Sequence, residues 1–200
     1  MMFAKRMDSL KVSAIREILK ITANPEYISF AGGLPAPELF PIKEMKKVTA
    51  MVFDEAGAEA LQYSTTEGFI PLRKQIAVRM KKVNVDVTHE NIQIISGSQQ
   101  GLDLSGKLFI DEGDVILCES PTYLAAISAF KAYGPRFIEV PTDDHGMIME
   151  ELEKIIKDTP KIKFIYVIPD FQNPTGRTWS LERRKKFIQL INQYEIPVLE

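Results

Sequence analysis

The sequence is poor in the residues that build metal centres and covalent cross-links. Its 200 residues include 1 cysteine, 2 histidines and 1 tryptophan. The single cysteine, Cys118, excludes an intramolecular disulfide and a cysteine-built zinc site. It lies in the apolar run Val115-Ile116-Leu117-Cys118 and reads as a buried thiol of a reducing compartment. Neither His89 nor His145 has a second histidine or a cysteine near it in sequence, so both read as surface or loop residues rather than metal ligands. No run approaches the ~18 to 20 apolar residues of a membrane span, and Met1-Met2-Phe3-Ala4-Lys5-Arg6 lacks the apolar centre of a signal peptide. Charge of one sign is also missing: 25 Lys+Arg against 27 Asp+Glu leave a net charge of −2. A polycationic nucleic-acid surface is therefore not expected. The expectation is a cytoplasmic protein with no membrane and no nucleic-acid partner.

What remains is ordinary for a globular domain, 45% hydrophobic and 26% charged. The spacing of Val12, Ile15 and Leu19 predicts an amphipathic helix from about Ser9 to Lys20, ended by Asn24-Pro25. The segment Ala31-Gly32-Gly33-Leu34-Pro35-Ala36-Pro37 is too rich in Gly and Pro for a regular element. Pro41 and Pro71 each open a helix, the first carrying Ile42, Met45, Val48 and Val52 on one face, the second Leu72, Ile76 and Met80. The pattern changes from residue 92. Apolar runs at Ile92–Ile95, Val115–Cys118, Phe137–Val140, Ile162–Ile168 and Ile196–Leu199 predict strands, and the segments between them have helical spacing. Strands alternating with helices predict an α/β fold with a mostly parallel sheet covered on both faces. The chain stops in or just past an apolar run with no helix to close it, which suggests a truncated chain.

Ligands of such sheets bind beyond the carboxyl ends of the strands, so the strand-to-helix junctions carry the functional information. At Ile94-Ile95-Ser96-Gly97-Ser98-Gln99-Gln100-Gly101, small residues let backbone approach an anion. The unpaired amides of the helix start and the Ser98 and Gln99 side chains supply donors there; a plain helix cap is the simpler alternative. The overlapping Gly101-x4-Gly106-Lys107 resembles a triphosphate loop but continues into Leu108, where a magnesium-binding Ser or Thr is needed, and it has helical apolar spacing. No Gly-x-Gly-x-x-Gly follows any run, which disfavours a dinucleotide site. At Glu119-Ser120-Pro121-Thr122-Tyr123 the proline restricts a turn that holds Tyr123 at the sheet edge, either to stack on a flat heterocycle or to pack on its own helix. At Ile168-Pro169-Asp170-Phe171-Gln172-Asn173-Pro174-Thr175-Gly176-Arg177 a rigid loop presents the Asn173 carboxamide as a donor. The acidic pairs Asp111-Glu112 and Asp143-Asp144 read as solvated turns, and Arg183-Arg184-Lys185-Lys186 as the exposed face of a helix.

Taken together, Ser96-Gly97-Ser98-Gln99-Gln100, Pro121-Thr122-Tyr123 and Phe171-Gln172-Asn173-Pro174-Thr175-Gly176-Arg177 resemble, in that order, the class I/II aminotransferases, pyridoxal-phosphate enzymes of fold type I. Phe30-Ala31-Gly32-Gly33-Leu34-Pro35 and Leu61-Gln62-Tyr63-Ser64 match as well. They look most like the branch of 2-aminoadipate and kynurenine aminotransferases and the effector domains of MocR-type regulators. The resemblance implies pyridoxal 5'-phosphate as cofactor and an amino acid and a 2-oxo acid as substrates. Ser98 and Gln99 would bind the cofactor phosphate with Gly97 allowing close approach, Tyr123 would stack on the pyridine ring, and Asn173 would donate to its phenolic oxygen. It further implies a homodimer in which Tyr63 reaches the phosphate of the partner subunit's cofactor, with Gly33 and Arg16 lining the substrate entrance. Residues 1–40 would form an arm and residues 41–200 an incomplete large domain. The family's Schiff-base lysine, its pyridine-pairing aspartate and its carboxylate-binding arginine fall beyond the position matching Glu200, so this chain alone is expected to be inactive. Two other readings are an effector domain of a MocR-type regulator and an inactive half-length relic.

Overall fold

The computed structural model describes residues 33–200 together with Phe3, Ala4, Arg6, Met7 and Glu26. The helix expected over Ser9–Lys20, and Arg16 with it, lies outside the described residues. The chain divides into two compact units, one holding Ser96–Glu200 with the first residues of the chain, the other ending at Ile95.

In the unit that ends at Ile95, both prolines open helices as expected. Pro41 is the N-cap of α1 (Ile42–Ala60), and Pro71 lies in the first turn of α2 (Ile70–Lys81). Proline suits these positions because a first-turn N–H has no intrahelical acceptor and the ring presets the helical φ. The stripe Ile42, Met45, Val48 and Val52 on α1 is exposed rather than buried. On α2, the buried Arg73 donates Nε to the carbonyls of His89, 3.1 Å, and Ile92, 2.8 Å, holding the short turn His89–Asn91. The Ile92–Ile95 segment does not become a strand. Ile92 is extended and the Ile94 N–H donates to Glu67 O at 2.9 Å, but no ladder forms among the described residues. An apolar run specifies extended backbone; a strand also needs a neighbour.

The other unit contains α3 (Ser98–Phe109), β1 (Val115–Ser120), α4 (Leu124–Lys131), β2 (Arg136–Asp143), β3 (Gly146–Met147), α5 (Met149–Asp158), β4 (Ile162–Tyr166), α6 (Leu181–Tyr194) and β5 (Val198–Leu199). The sheet order is β3-β2-β1-β4-β5, parallel except for the short β2–β3 hairpin. The central β1 is buried from Val115 to Glu119, and its alternating side chains feed two cores. Ile116 joins Phe164, Tyr166, Leu102 of α3 and Phe130 of α4. Val115 and Leu117 join Ile165, Leu152 and Ile156 of α5, and Phe187, Leu190 and Ile191 of α6. The period of two along a strand thus places α3 and α4 on one face and α5 and α6 on the other. Each fully buried side chain of this kind contributes about 1.5–3 kcal/mol. Close approach of α3 to α4 depends on Gly106, where a β-carbon would fall 2.7 Å from the Tyr133 ring. The segment resembling a triphosphate loop is therefore mid-helix, and its second glycine is a packing contact. Cys118 is buried, and desolvation pushes its thiol up to about 12, so it is an inert core residue. Among the described residues no helix is long and apolar enough to cross a membrane.

This connectivity creates a crevice. From β1 the chain crosses by α4 to β2 on one side, then returns by α5 over the opposite face to β4 on the other side of β1. The segments leaving β1 and β4 diverge, and the gap between their carboxyl ends is the topological switch point at which such sheets bind ligands.

Candidate functional site

Three segments expected to bind ligand all come from the unit that holds this sheet. Helix α3 starts at Ser98 with Gly97 as N-cap, and no side chain caps it. Gly97 has φ +81, a region that L side chains rarely adopt, and nothing lies within 4 Å of where its β-carbon would be. Ser98 and Gln99 are exposed. The Ser96 N–H is taken by Gln100 Oε1 at 2.6 Å, so Gln100 orients the approach to the helix while the first-turn amides stay open. Open amides at a helix start carry the positive end of the dipole and favour an anion. Helix α3 leads through residues 110–114 into the start of β1.

Tyr123 caps α4, its carbonyl accepting from the N–H groups of Ala126 and Ile127 at 3.1 and 3.3 Å. Its ring is half-buried against the core of Phe130, Phe164 and Tyr166, which fixes it at the crevice edge. Burial, with smaller contributions from Tyr123 and Glu119, pushes the neighbouring Tyr166 up to about 12, so that phenol stays neutral. The Thr122 hydroxyl is enclosed and has no hydrogen-bond partner among the described residues. The Ser120–Pro121 and Asn173–Pro174 bonds are both cis.

Asn173 is exposed and its carboxamide engages no other described residue, while its loop is held by its neighbours. Gln172 Oε1 accepts from the Thr175 N–H at 2.9 Å and from Thr175 Oγ1 at 2.7 Å, and the Gln172 N–H donates to Arg177 O at 2.8 Å. A free donor on a pinned loop, an enclosed unpartnered hydroxyl and an uncapped helix start suit a flat ligand that bears an anionic group and a polar ring substituent.

Two expected residues lie in the other unit. Tyr63 is 99% exposed, its N–H taken by Gln62 Oε1 at 2.8 Å. Gly33 is exposed with nothing within 4 Å of a built β-carbon, and Arg16 is outside the described residues.

The reading of the charged residues needs correction. Asp143 is not a solvated turn residue: Arg183 Nη2 donates to its Oδ2 at 2.8 Å and holds its carboxyl below the usual range. Asp144 is solvent-exposed as expected, with an exposed ion pair to Arg177 at 2.8 Å. Arg183 also donates to the Gly146 and Met147 carbonyls, and Arg184 to Pro169 O at 3.1 Å, so two of the four basic residues on α6 face inward. Sequence reasoning also passed over Glu119, Gln172 and Trp179. Glu119, 1% exposed, accepts from the Ile168 N–H at 2.9 Å and from Trp179 Nε1 at 2.8 Å. Burial pushes its carboxyl up, and the Ile168, Trp179 and Gln172 donors pull it back. The available signals were a carboxylate ending an apolar run and the one tryptophan of the chain.

The chain has relatives among known proteins. It is 44% identical to aromatic-amino-acid aminotransferase 1 of Thermococcus litoralis over 99% of its own length and 49% of that protein's. The crystal structure of LysN, the alpha-aminoadipate aminotransferase of Thermus thermophilus complexed with N-(5'-phosphopyridoxyl)-L-leucine, superposes with a TM-score of 0.87 at 44% identity. That match covers 98% of this chain and 48% of that one. The uncharacterized HTH-type transcriptional regulator YdfD of Bacillus subtilis is 27% identical over 98% of this chain and 39% of its own. The chain spans about half the length of these curated relatives and of the 2-aminoadipate transaminase of Thermus thermophilus, except that it covers 39% of the regulator. The family model described as aminotransferase class I and II matches residues 31–199, and this chain belongs to that family.

Proposed function

We propose that the protein of which this chain forms part is a pyridoxal-phosphate-dependent aminotransferase that moves an amino group between an amino acid, aromatic or of the 2-aminoadipate type, and a 2-oxo acid. What supports this reading is that one unit of the chain carries an uncapped helix start, a half-buried tyrosine ring and an asparagine on a pinned loop whose carboxamide engages no other described residue. The cofactor, when bound, supplies the electron sink that amino-group transfer requires. The residues of this chain bind and orient it. Ser98 and the open amides beside it donate to the phosphate, Gly97 keeps that approach clear, Tyr123 supports one face of the ring, and Asn173 donates to the phenolic oxygen and favours its ionised form. The proton-transferring lysine is assigned to sequence beyond this chain, and Tyr63, fully exposed, is assigned to the partner subunit's site in a homodimer. The buried thiol of Cys118 suits a reducing, cytoplasmic setting.

The test is an amino-transfer assay with pyridoxal phosphate, 2-oxoglutarate and a panel of donors, reading glutamate. The full-length protein is expected to turn over aromatic amino acids or 2-aminoadipate, and the 200-residue chain alone to stay at the rate of free cofactor. Turnover by the 200-residue chain that survives further purification overturns the assignment of the lysine. Cofactor binding without transfer by the full-length protein, combined with specific DNA binding, supports the regulator reading instead.

A further inference from the structure

We infer that Glu119, Gln172 and Trp179 form a buried clamp that sets the spacing between the Tyr123 turn and the Asn173 loop, with Glu119 as its positioning residue. The inference rests on the reading of those two segments as cofactor-binding.

The clamp is visible in which atoms it joins. Glu119 lies near the carboxyl end of β1, just ahead of the Tyr123 turn. Its Oε2 accepts from the N–H of Ile168, where the chain has just left β4, and its Oε1 accepts from the indole N–H of Trp179, at the far end of the same loop. One carboxylate therefore holds both ends of the segment that carries Asn173. The Trp179 backbone N–H donates to Pro169 O at 2.8 Å and closes the neck of that loop. From inside the loop, Gln172 Nε2 donates to Pro121 O at 2.8 Å, tying the Asn173 loop directly to the Tyr123 turn. Gln172 Oε1, by its bonds to Thr175, holds the far side of Asn173-Pro174. The polar contacts thus fall on either side of Asn173 and leave its own carboxamide free for a ligand.

Packing alone does not call for these residues. Burying a carboxylate is costly unless it is well bonded, and an apolar side chain at 119 would fill β1 without that cost. What only a carboxylate supplies here is two acceptors aimed at two donors from opposite ends of one loop. Within the described part of the sheet-bearing unit, Glu119 and Gln172 are the two buried polar or charged side chains, and both sit at this junction. Trp179, 3% exposed, is itself immobilised by an edge-on contact with Phe187, ring centroids 5.2 Å apart, and by Gly146, where a β-carbon would fall 2.4 Å from the indole.

The test uses the full-length protein and three readouts: hydrogen–deuterium exchange of peptides covering 120–124 and 168–179, pyridoxal phosphate affinity by equilibrium dialysis, and circular dichroism of the bound cofactor. Glu119→Gln keeps the volume but offers one acceptor to two donors. It is expected to speed exchange in both segments, to weaken cofactor binding about tenfold and to change the cofactor dichroism. Ser98→Ala is expected to weaken binding with exchange in both segments unchanged. Trp179→Phe removes one of the two donors, so the double variant Glu119→Gln/Trp179→Phe is expected to bind closer to Trp179→Phe than to Glu119→Gln. A folded Glu119→Gln protein with wild-type exchange in 120–124, or with wild-type affinity and dichroism, overturns the clamp. If Glu119→Gln does not fold, Trp179→Phe alone decides: faster exchange in 168–179 with binding about threefold weaker supports the clamp, and no change overturns it. Failure of the wild-type protein to bind pyridoxal phosphate overturns the functional reading itself, whereas wild-type binding with unaffected variants overturns the clamp alone.

Discussion

Arg184 of α6 reaches back to Asp170 at the neck of the Asn173 loop, Nη2 to Oδ1 at 2.6 Å and Nη1 to Oδ2 at 3.2 Å. The same guanidinium donates to the carbonyls of Pro169 and Trp179, so a residue from the basic run braces both sides of that neck. Lysine carries the charge but not the planar fork, and cannot reproduce this set of contacts. Because the pair is partly solvent-exposed, its loss is modest. Arg184→Lys is expected to lower overall stability by about 1 kcal/mol or less, and to speed hydrogen exchange in 168–179 while leaving 98–109 unchanged. Equal exchange in the two proteins would show that the pair is incidental.

Asn173→Ala and Ser98→Ala separate two roles in the proposed site. A donor to the phenolic oxygen stabilises its ionised form, so losing Asn173 should move the titration of the bound-cofactor absorbance to higher pH as well as weaken retention. Ser98 acts at the phosphate, so Ser98→Ala should weaken retention and leave that titration in place. A spectrophotometric pH titration of both variants of the full-length protein decides the matter. Identical titration curves would make Asn173 a turn residue only.

How legible such features are in a sequence depends on whether their cause is local. Pro41 and Pro71 mark helix starts because proline's own φ and missing N–H act on the turn they occupy. The runs at Val115 and Ile162 declare strands because β1 is buried along most of its length and β4 over its last three residues, and residue type reports burial, while β2 at Phe137 is largely half-buried with Val140 in the core. The helix start at Ser98, the turn before α4 and the loop around Asn173-Pro174 are readable as local structure because small and turn-forming residues leave a local trace. Features that need a distant partner are not. Ile92–Ile95 has the composition of a strand, but pairing depends on a neighbour that composition does not name. Ile42, Met45, Val48 and Val52 have helical spacing yet lie exposed, since spacing defines a face and not what covers it. Arg183 finds Asp143 40 residues away, and Glu119 finds Trp179 60 residues away. Those encounters are products of sheet order, which places the ends of β1, β2 and β4 side by side.

The ion pair that braces the entry to β1 yields a pH prediction. Asp114 Oδ2 accepts from the Asp111 N–H at 2.8 Å and lies 3.0 Å from Lys163 Nζ. The backbone donor first, and then Lys163, hold its carboxyl below the usual value of 3.8. A depressed native pKa means that the unfolded chain binds the proton more readily. The stability it contributes is therefore complete above the unfolded value and is lost as pH falls through the native one. Asp114→Asn is expected to lower the unfolding midpoint at neutral pH, with the difference from wild type closing as pH falls through the lowered native pKa. Thermal unfolding of both proteins across that range checks it, and a difference that does not change with pH would place the effect elsewhere.

The proposed shared site makes the most demanding prediction. Tyr63 is 99% exposed in a polar connection rather than packed on a helix face, so its phenol is free to reach across an interface. A symmetric dimer makes this testable by mixing. Tyr63→Phe would be co-expressed with a variant lacking the lysine assigned to sequence beyond this chain. If each site draws Tyr63 from the opposite subunit, a mixed dimer holds one site with both lesions and one with neither. Its activity should then exceed that of either parent. If instead Tyr63 serves its own subunit, every site in the mixed dimer carries one lesion, and activity should equal the average of the parents. Native mass spectrometry to confirm that mixed dimers form turns an averaged activity into a decisive result against the shared site, because failure to mix is then excluded.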